Sequence, residues 1–545
     1  MSAPTTIYGI DLGTTYSCIA YVDEYGKANT IPNAEGERTT PSVVFFDGAQ
    51  RIVGNEAKNN AVLHPDQIAQ LVKREMGKSD WVFAYDGVEY SAEEISSYIL
   101  RKLAGDAEIA GHTVTDVVIT CPAYFGINER EATVKAGQLA GLMVRSIINE
   151  PTTAAIAYGL HTNDDQVVLV YDLGGGTFDI TMIEIRAGLI NVIATGGDHF
   201  LGGRNWDEVI VQYLAHQWSE LTASAEDPIG DPETLQDLFG KAEAGKKALS
   251  SREKTDIAVT HAGKREKVSL TREKFNELTA ALLERTIAHT HNMLKEAAKK
   301  AYTRFDKILL VGGSTRMPQV AERLRAEFNI EAQLFEPDES VAKGAALYGQ
   351  KLAIGDAIKI KLETWGETSG AAAAPAVVEK ARQAVADELG LTLPSVQRYD
   401  SLTITNVTSH SFGVVSLDQH HQEGVSNLIR INDAVPAQVT QRFGSAEDSQ
   451  ENVEIRIMEN NISEERVELN LCTEIGQAVL DLPPHLPAGS PIEITFHLNE
   501  QGRLHATAKE LSANRTIHVE IETSRVISQE KFAEAKTRSK HLVVA

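Results

Sequence analysis

The sequence predicts two α/β lobes followed by an antiparallel β-sandwich, and three observations carry that prediction. Up to about Leu352, short apolar strands at residues 7–10, 117–121, 167–171 and 308–311 sit between glycine-rich turns and alternate with helical patterns, as in an α/β domain. From about Ser401 to Glu522 the period changes to strict alternation. Examples are Val453-Glu454-Ile455-Arg456-Ile457 and Ile492-Glu493-Ile494-Thr495-Phe496-His497-Leu498, with a turn at 499–502. Finally, Ile10-Asp11-Leu12-Gly13-Thr14-Thr15 recurs as Tyr171-Asp172-Leu173-Gly174-Gly175-Gly176-Thr177, which implies two lobes with matching hairpins.

A chain of 545 residues is too long for one core at ~150 residues per domain, so three or four domains are expected. The expected division is 1–355 for the two lobes, 356–400 for a linker or insertion with one helix, 401–524 for the sandwich and 525–545 for a short C-terminal helix. Residues 366–375 are rich in Gly and Ala, and Val377, Val378, Ala381, Val385 and Leu389 follow at helical spacing. Near the end, Ser528 is placed to cap a helix over 529–542.

Composition narrows the function. Hydrophobic residues make up 42% and charged residues 23%, ordinary globular usage that predicts a folded chain. A formal net charge of −24 opposes binding to a phosphate backbone, so no nucleic-acid partner is expected. Cys18, Cys121 and Cys472 show no CxxC spacing, which predicts reduced thiols rather than a disulfide framework or a zinc site. The first apolar run meets Asp11 early and has no Lys or Arg ahead of it, unlike a signal peptide. No apolar stretch approaches the ~20 residues that span a bilayer. The expectation is a cytoplasmic protein with no membrane partner.

The chemistry lies in the hairpins. Each delivers an Asp at a strand end, glycines that let the backbone approach an anion, and a Thr hydroxyl beside it. One such motif alone reads as a plain β-turn. Two copies facing across a cleft can grip a polyphosphate from both sides while Asp11 and Asp172 hold Mg²⁺ through its waters, and Asp179 adds a third carboxylate. A third element, Ile308-Leu309-Leu310-Val311-Gly312-Gly313-Ser314-Thr315-Arg316, could seat an adenine and ribose against its Gly-Gly turn, although by itself it is an ordinary βα connection. Gly240, Gly245 and Lys246 have P-loop spacing, but Lys247 stands where Ser or Thr is needed and the stretch reads as helix.

Together, DLGTTYS from Asp11, NAEGERTTPS from Asn33, CPAYF from Cys121, NEPTTAA from Asn149, DLGGGTFD from Asp172 and VGGSTRMP from Val311 closely resemble the seventy-kilodalton heat-shock (DnaK-type) chaperones. Sugar kinases and actins share the fold and looser hairpins without this complete set. The resemblance implies an α/β actin-like two-lobed ATPase domain with ATP/ADP and Mg²⁺ as cofactors and K⁺ as a further candidate ion. It implies that Asp11, Glu150, Asp172 and Asp179 surround Mg²⁺, mainly through water, and that Lys73 reaches the γ-phosphate and the attacking water. Lys73, Glu150, Asp172, Thr177 and Asp179 become the catalytic set; Gly13, Thr14, Thr15 and Tyr16 on one side and Gly174, Gly175, Gly176 and Thr177 on the other become phosphate contacts. Such a set suits phosphoryl transfer, which needs positioning and charge neutralisation more than a strong base. The implied adenosine side is Gly202, Gly203, Glu243, Lys246, Lys247, Ser250, Gly312, Gly313, Ser314, Arg316 and Asp338, and Pro122 and Arg130 match the family's allosteric relay. Arg204-Asn205 stands where the family usually has Glu-Asp, a charge reversal expected to act on nucleotide affinity or exchange.

The C-terminal half resembles the family's peptide-binding β-domain through Phe443-Gly444-Ser445-Ala446-Glu447-Asp448 and Gly502-Arg503-Leu504-His505-Ala506-Thr507-Ala508-Lys509. Val414, Leu417, Phe443, Ala446, Val453 and Ile455 would then line or border a groove for an extended apolar segment, with core packing as the competing role. Two features differ from the family. The counterpart of its leucine-rich linker, Leu402-Thr403-Ile404-Thr405-Asn406, alternates with polar residues, and only one short helix follows Ser528 in place of a long lid. The implied function is an ATP-dependent chaperone for unfolded or extended polypeptides, working with a J-domain co-chaperone and a nucleotide-exchange factor. An ATP-switched docking protein is the main alternative, and a small-molecule kinase of the same fold is a lesser one.

Overall fold

A computed structural model describes residues 6–160, 164–186, 188–366, 374–500, 502–512, 515–519, 526–539 and 542–545. The internal repeat is realised in the sheets. In lobe I the strand Ile7–Asp11 pairs in parallel with Asp116–Cys121 and antiparallel with Tyr16–Val22. In lobe II the strand Gln166–Leu173 does the same with Lys307–Val311 and Phe178–Arg186. Each hairpin is therefore the turn between the first two strands of its lobe. The first strands are mostly apolar and mostly buried, because helices cover them.

A shared core joins the lobes at their base. Ile7 and Val118 from lobe I and Val168, Val170 and Leu309 from lobe II pack with Ile354, Ile358 and Leu362 of the helix Ser340–Thr364. That helix runs past the boundary expected at 355. The segment expected to hold one helix holds two, Pro375–Leu389 and Leu393–Ser401. Gly390, left-handed at φ 66°, ends the first, and Thr392 caps the second by accepting the Ser395 amide. The helix expected over 376–391 runs one residue past this glycine, and the second helix is too short to show a period of its own. Ala381, Val385, Val396 and Tyr399 are buried against the base, so the expected apolar stripe docks. Most of the Gly/Ala-rich run at 366–375 lies outside the described residues, as does the boundary expected at 524 and 525.

The C-terminal half packs a sheet of five strands against one of four. Alternate residues such as Ile455, Ile457, Ile494, Phe496 and Leu498 point into one core, as a two-sheet sandwich requires. The linker strand Thr403–Val407 adds to the lobe II sheet, parallel to Leu189–Asp198, and the sandwich strand Ala434–Val435 pairs on its outer side. At the other end the helix Gln529–Ser539 and the strand Val543–Val544 lie on lobe I. Among the described residues no helix is long and apolar enough to cross a membrane.

Candidate functional site: an inter-lobe cleft

The two hairpins meet face to face. A Cβ added at Gly175 would lie 2.1 Å from Thr15 Oγ1, and one added at Gly176 would lie 2.3 Å from Thr14 Cγ2, so each glycine makes room for a threonine of the other lobe. Each loop is braced internally: the Gly13 amide donates to Ser17 Oγ at 3.1 Å, and the Gly174 amide to the Thr177 carbonyl at 3.0 Å.

Behind the hairpins lies a concentration of charge. Glu150, Asp172, Asp179 and Lys73 are buried, and Asp11 is half-buried among them. Lys73 Nζ sits 2.5 Å from Glu150 Oε1. Burial, then repulsion from Glu150, push the Asp11 carboxyl up to about 7. Asp172 and Asp179 are also raised well above the ordinary carboxylate value, again by burial first and Glu150 next. Burial works to lower the Lys73 ammonium, but Glu150 and Asp11 outweigh it and leave it raised. One buried cation does not offset four carboxylates in a low-dielectric site, so the donor set suits a divalent cation. Among the described residues no three His, Cys, Asp or Glu side chains converge as a direct ligand shell.

The expected adenosine side gathers around the lobe II hairpin. Gly203 begins the helix Gly203–Thr222, and its amide donates to the Gly174 carbonyl at 2.9 Å. Lys246 donates to the Gly203 carbonyl and pairs with Asp207, each at 2.8 Å; it lies on the helix Pro232–Leu249, where a P-loop cannot form. Ser250 caps that helix, its hydroxyl donating to the Lys246 carbonyl. Ser314 donates to the Gly174 carbonyl at 2.9 Å, Gly312 turns at φ 81°, Gly313 lies against Asp338, and Arg316 pairs with Asp338 at 2.5 Å.

Glu243 and Lys247 are committed across the cleft. Lys58 of lobe I reaches Glu243 at 2.5 Å, Tyr16 donates to Glu243 at 3.0 Å, and Lys247 pairs with it at 2.8 Å. A second bridge comes from Arg74, whose guanidinium donates twice to the Gly176 carbonyl, at 3.1 and 2.7 Å, and lies 3.4 Å from Asn205 Oδ1. Sequence reading missed Lys58 and Arg74. Arg74 had a signal, its place beside Lys73, whereas Lys58 lies in no motif. At the charge reversal, the Arg204 guanidinium lies 3.2 Å from the centroid of the Phe239 ring, and the Arg204 amide donates to the Gly175 carbonyl at 2.8 Å. Asn205 beside it accepts from the Gly202 amide at 2.9 Å.

The expected relay residues also converge. The Ala123 amide, next to Pro122, donates to Asp179 at 2.8 Å, and Arg130 collects the Phe125 carbonyl at 2.9 Å and Asn149 Oδ1 at 2.5 Å. Arg130 also lines a small cavity with Asn406, Val407, Thr408 and Ser409 at the start of the sandwich.

The expected groove residues do not gather. Val414 and Ile455 are 1% and 3% exposed and belong to the sandwich core, the competing role expected for them. They fall on the inward side of the two-residue alternation, which core and ligand contact share in sequence. Phe443 and Val453 are partly buried against the same core, while Leu417 and Ala446 are exposed.

A family model described as Hsp70 protein matches residues 7–362 and 389–543. The gap between the two matched stretches takes in nearly all of the helix Pro375–Leu389, the additional element of the base. A match that runs through both hairpins, the Gly312 turn and the sandwich makes this chain a member of the Hsp70 family.

Proposed function

We propose that the chain is an ATP-dependent chaperone in which ATP binding and hydrolysis in the cleft regulate the hold of the sandwich on unfolded or extended polypeptide. Members of the Hsp70 family are nucleotide-binding ATPases with chaperone function, and this chain carries the family's pattern through both halves. The observation that supports the reading best is the pair of hairpins meeting over buried Lys73, Glu150, Asp172 and Asp179.

Because Thr14 and Thr15 occupy the space over Gly176 and Gly175, the lobes part to admit a triphosphate and close on it. Amides of the two turns then bind the phosphate oxygens, and Thr14 and Thr177 add hydroxyls. Lys73, steadied by Glu150, orients the attacking water; Asp11, Glu150, Asp172 and Asp179 would hold a divalent ion. Mg²⁺, when bound, neutralises the charge that develops on the phosphates. Loss of the γ-phosphate alters the surroundings of Asp179, and the Ala123 amide passes that change to the segment gripped by Arg130, which faces the linker. Polypeptide should in turn alter ATP turnover, since coupling between two sites is reciprocal. A J-domain protein and an exchange factor are the expected partners.

The test is the release rate of a fluorescent apolar peptide before and after ATP, with Asp172→Asn as the control. Acceleration in the wild type and none in the variant is expected; an unchanged rate with intact hydrolysis sinks the coupling. A second reading, an ATP-switched docking protein for one partner, is favoured by the burial of Val414 and Ile455. Binding to a panel of unrelated unfolded peptides separates the two, because a docking protein would bind few or none.

A further inference from the structure

The helix Pro375–Leu389 falls almost wholly in the gap of the family match, yet it is packed into the molecule. Its Ala381, Val385 and Ala386 are buried in the core of the base, as are Val396, Tyr399 and Leu402 after the turn at Gly390. Polar pairs hold it to the helix Leu393–Ser401. Arg382 donates twice to Asp400, at 2.8 and 2.5 Å, and Gln397 donates to Glu379 at 2.5 Å. The two helices therefore form one body, folded back on itself.

That body is seated on both lobes. Toward lobe I, Tyr399 donates to the Gly26 carbonyl at 3.1 Å, in the turn between the strands Tyr16–Val22 and Ala28–Thr30. Val22 and Ala28 pack against the same core. Lys361, on the helix Ser340–Thr364 that covers the lobe I sheet, pairs with Glu388 at 2.6 Å. Toward lobe II, Arg398 donates to the Leu160 carbonyl at the end of the helix Glu150–Gly159, which packs on the lobe II sheet. One residue beyond Leu402, the Thr403 amide donates to the Gly188 carbonyl at 2.8 Å, in the lobe II turn before Leu189–Asp198.

Arg398 and Tyr399 thus reach to different lobes from adjacent positions. Neighbours on a helix diverge by about 100°, so Leu393–Ser401 turns one side to each lobe. Parting of two lobes is a hinge or shear motion about the place where they join, here the shared core of the base. A single body resting on both lobes at that place has to give up contacts with one of them when they rotate, and those contacts resist the rotation. Product leaves a closed cleft only when it opens, and such opening commonly limits turnover.

We propose that residues 375–402 are a brace across the base, which restricts the parting of the lobes and thereby slows nucleotide release. This deepens the reading of the cleft as a nucleotide site and rests on it for the release rate; the restriction of the lobes stands without it. Tyr399 and Arg398 are the two ends of the brace, and the Arg382–Asp400 pair keeps its helices together.

The test uses the full chain. Spin labels at Glu56→Cys and Glu233→Cys, exposed sites on the helices that carry Lys58 and Glu243, report the separation of the lobes. The background is Cys472→Ser, since Cys18 and Cys121 are buried. Release of a fluorescent ADP analogue is followed by stopped flow in the same proteins without labels. Tyr399→Phe removes only the hydroxyl that reaches Gly26, and Arg398→Ala removes the donor to Leu160. Each should add a longer lobe separation and speed release about fivefold, the usual effect of one hydrogen bond. Arg382→Gln breaks the pair within the brace and should act in the same direction. Ile287→Ala, in the lobe II core away from the brace, controls for lost stability: it should lower the denaturation midpoint and leave release unchanged. Unchanged lobe separation in both Tyr399→Phe and Arg398→Ala overturns the proposal, as does an equal acceleration in Ile287→Ala, which would trace the effect to stability. If the analogue does not bind the unmodified chain, the reading of the cleft fails, and the label distances alone decide the brace.

Discussion

The nucleotide cleft and the sandwich were both marked by motifs, yet the two sets of residues ended in different situations. In the cleft the marked residues are buried charges, Lys73, Glu150, Asp172 and Asp179, brought together from three separate segments. In the sandwich the marked residues are apolar, and Val414 and Ile455 fill the core. The difference lies in what burial costs. A buried carboxylate opposes folding unless something compensates it, so a cluster of them needs a functional explanation. A buried isoleucine in a β-sandwich contributes to stability by being there, and needs no ligand to account for it.

The comparison would break most visibly at Lys73. Lys73→Ala should lower ATP hydrolysis by about 10²–10³-fold, the usual loss for one electrostatic stabiliser of a transition state. Single-turnover hydrolysis measures it, and a loss below tenfold would mean that the buried charge is structural. In the sandwich, Ile455→Ala should cost about 2–5 kcal/mol of stability, as large-to-small core changes do. Exposed Leu417→Ala should leave stability within about 0.5 kcal/mol while weakening peptide binding. Denaturant unfolding with peptide titration separates the two; Ile455→Ala weakening peptide at full stability would return that residue to the groove.

The bridges across the cleft sharpen the contrast at a smaller scale. Arg74 makes two charge-assisted hydrogen bonds to Gly176, and such bonds contribute about 1.5–3 kcal/mol each. Opening the lobes exposes both ends to water, which recovers part of that. Arg74→Ala should therefore speed release of a fluorescent ADP analogue by about tenfold, or 1.4 kcal/mol. Stopped-flow displacement reads it directly, and an unchanged release rate would show that lobe opening does not break this bridge.

The fold was legible where physics leaves a repeating mark. Strand periods, glycine turns and the duplicated Asp-Leu-Gly hairpin located the two sheets and the faces that oppose each other. Short elements and single side chains left no period to read. The helix Leu393–Ser401 follows too closely on Gly390, the ladder partner Val543–Val544 is two residues long, and Lys58 and Arg74 look like any surface cation until the other lobe is in view. Glu94 shows the same limit from the other side. It sits in an ordinary helical first turn, and only the fold reveals that Arg538, far away in the chain, covers it.

The smallest effect is expected at Glu243, and it tests the contrast through pH. Burial alone would raise this carboxyl, but Lys58, then Lys247, outweigh it and hold it at about 2. A depressed carboxyl contributes stability that is present above its unfolded value, about 4.3, and lost as pH falls toward the folded value. The gap in denaturant midpoint between wild type and Glu243→Gln should therefore hold from pH 7 to about pH 5, then narrow toward about pH 3. The gap for Ile455→Ala, where no charge is involved, should keep its size over the same range. A Glu243→Gln gap as wide at pH 3 as at pH 7 would mean that Glu243 joins the lobes by shape rather than charge, and the cleft would then differ from the sandwich less than its buried carboxylates imply.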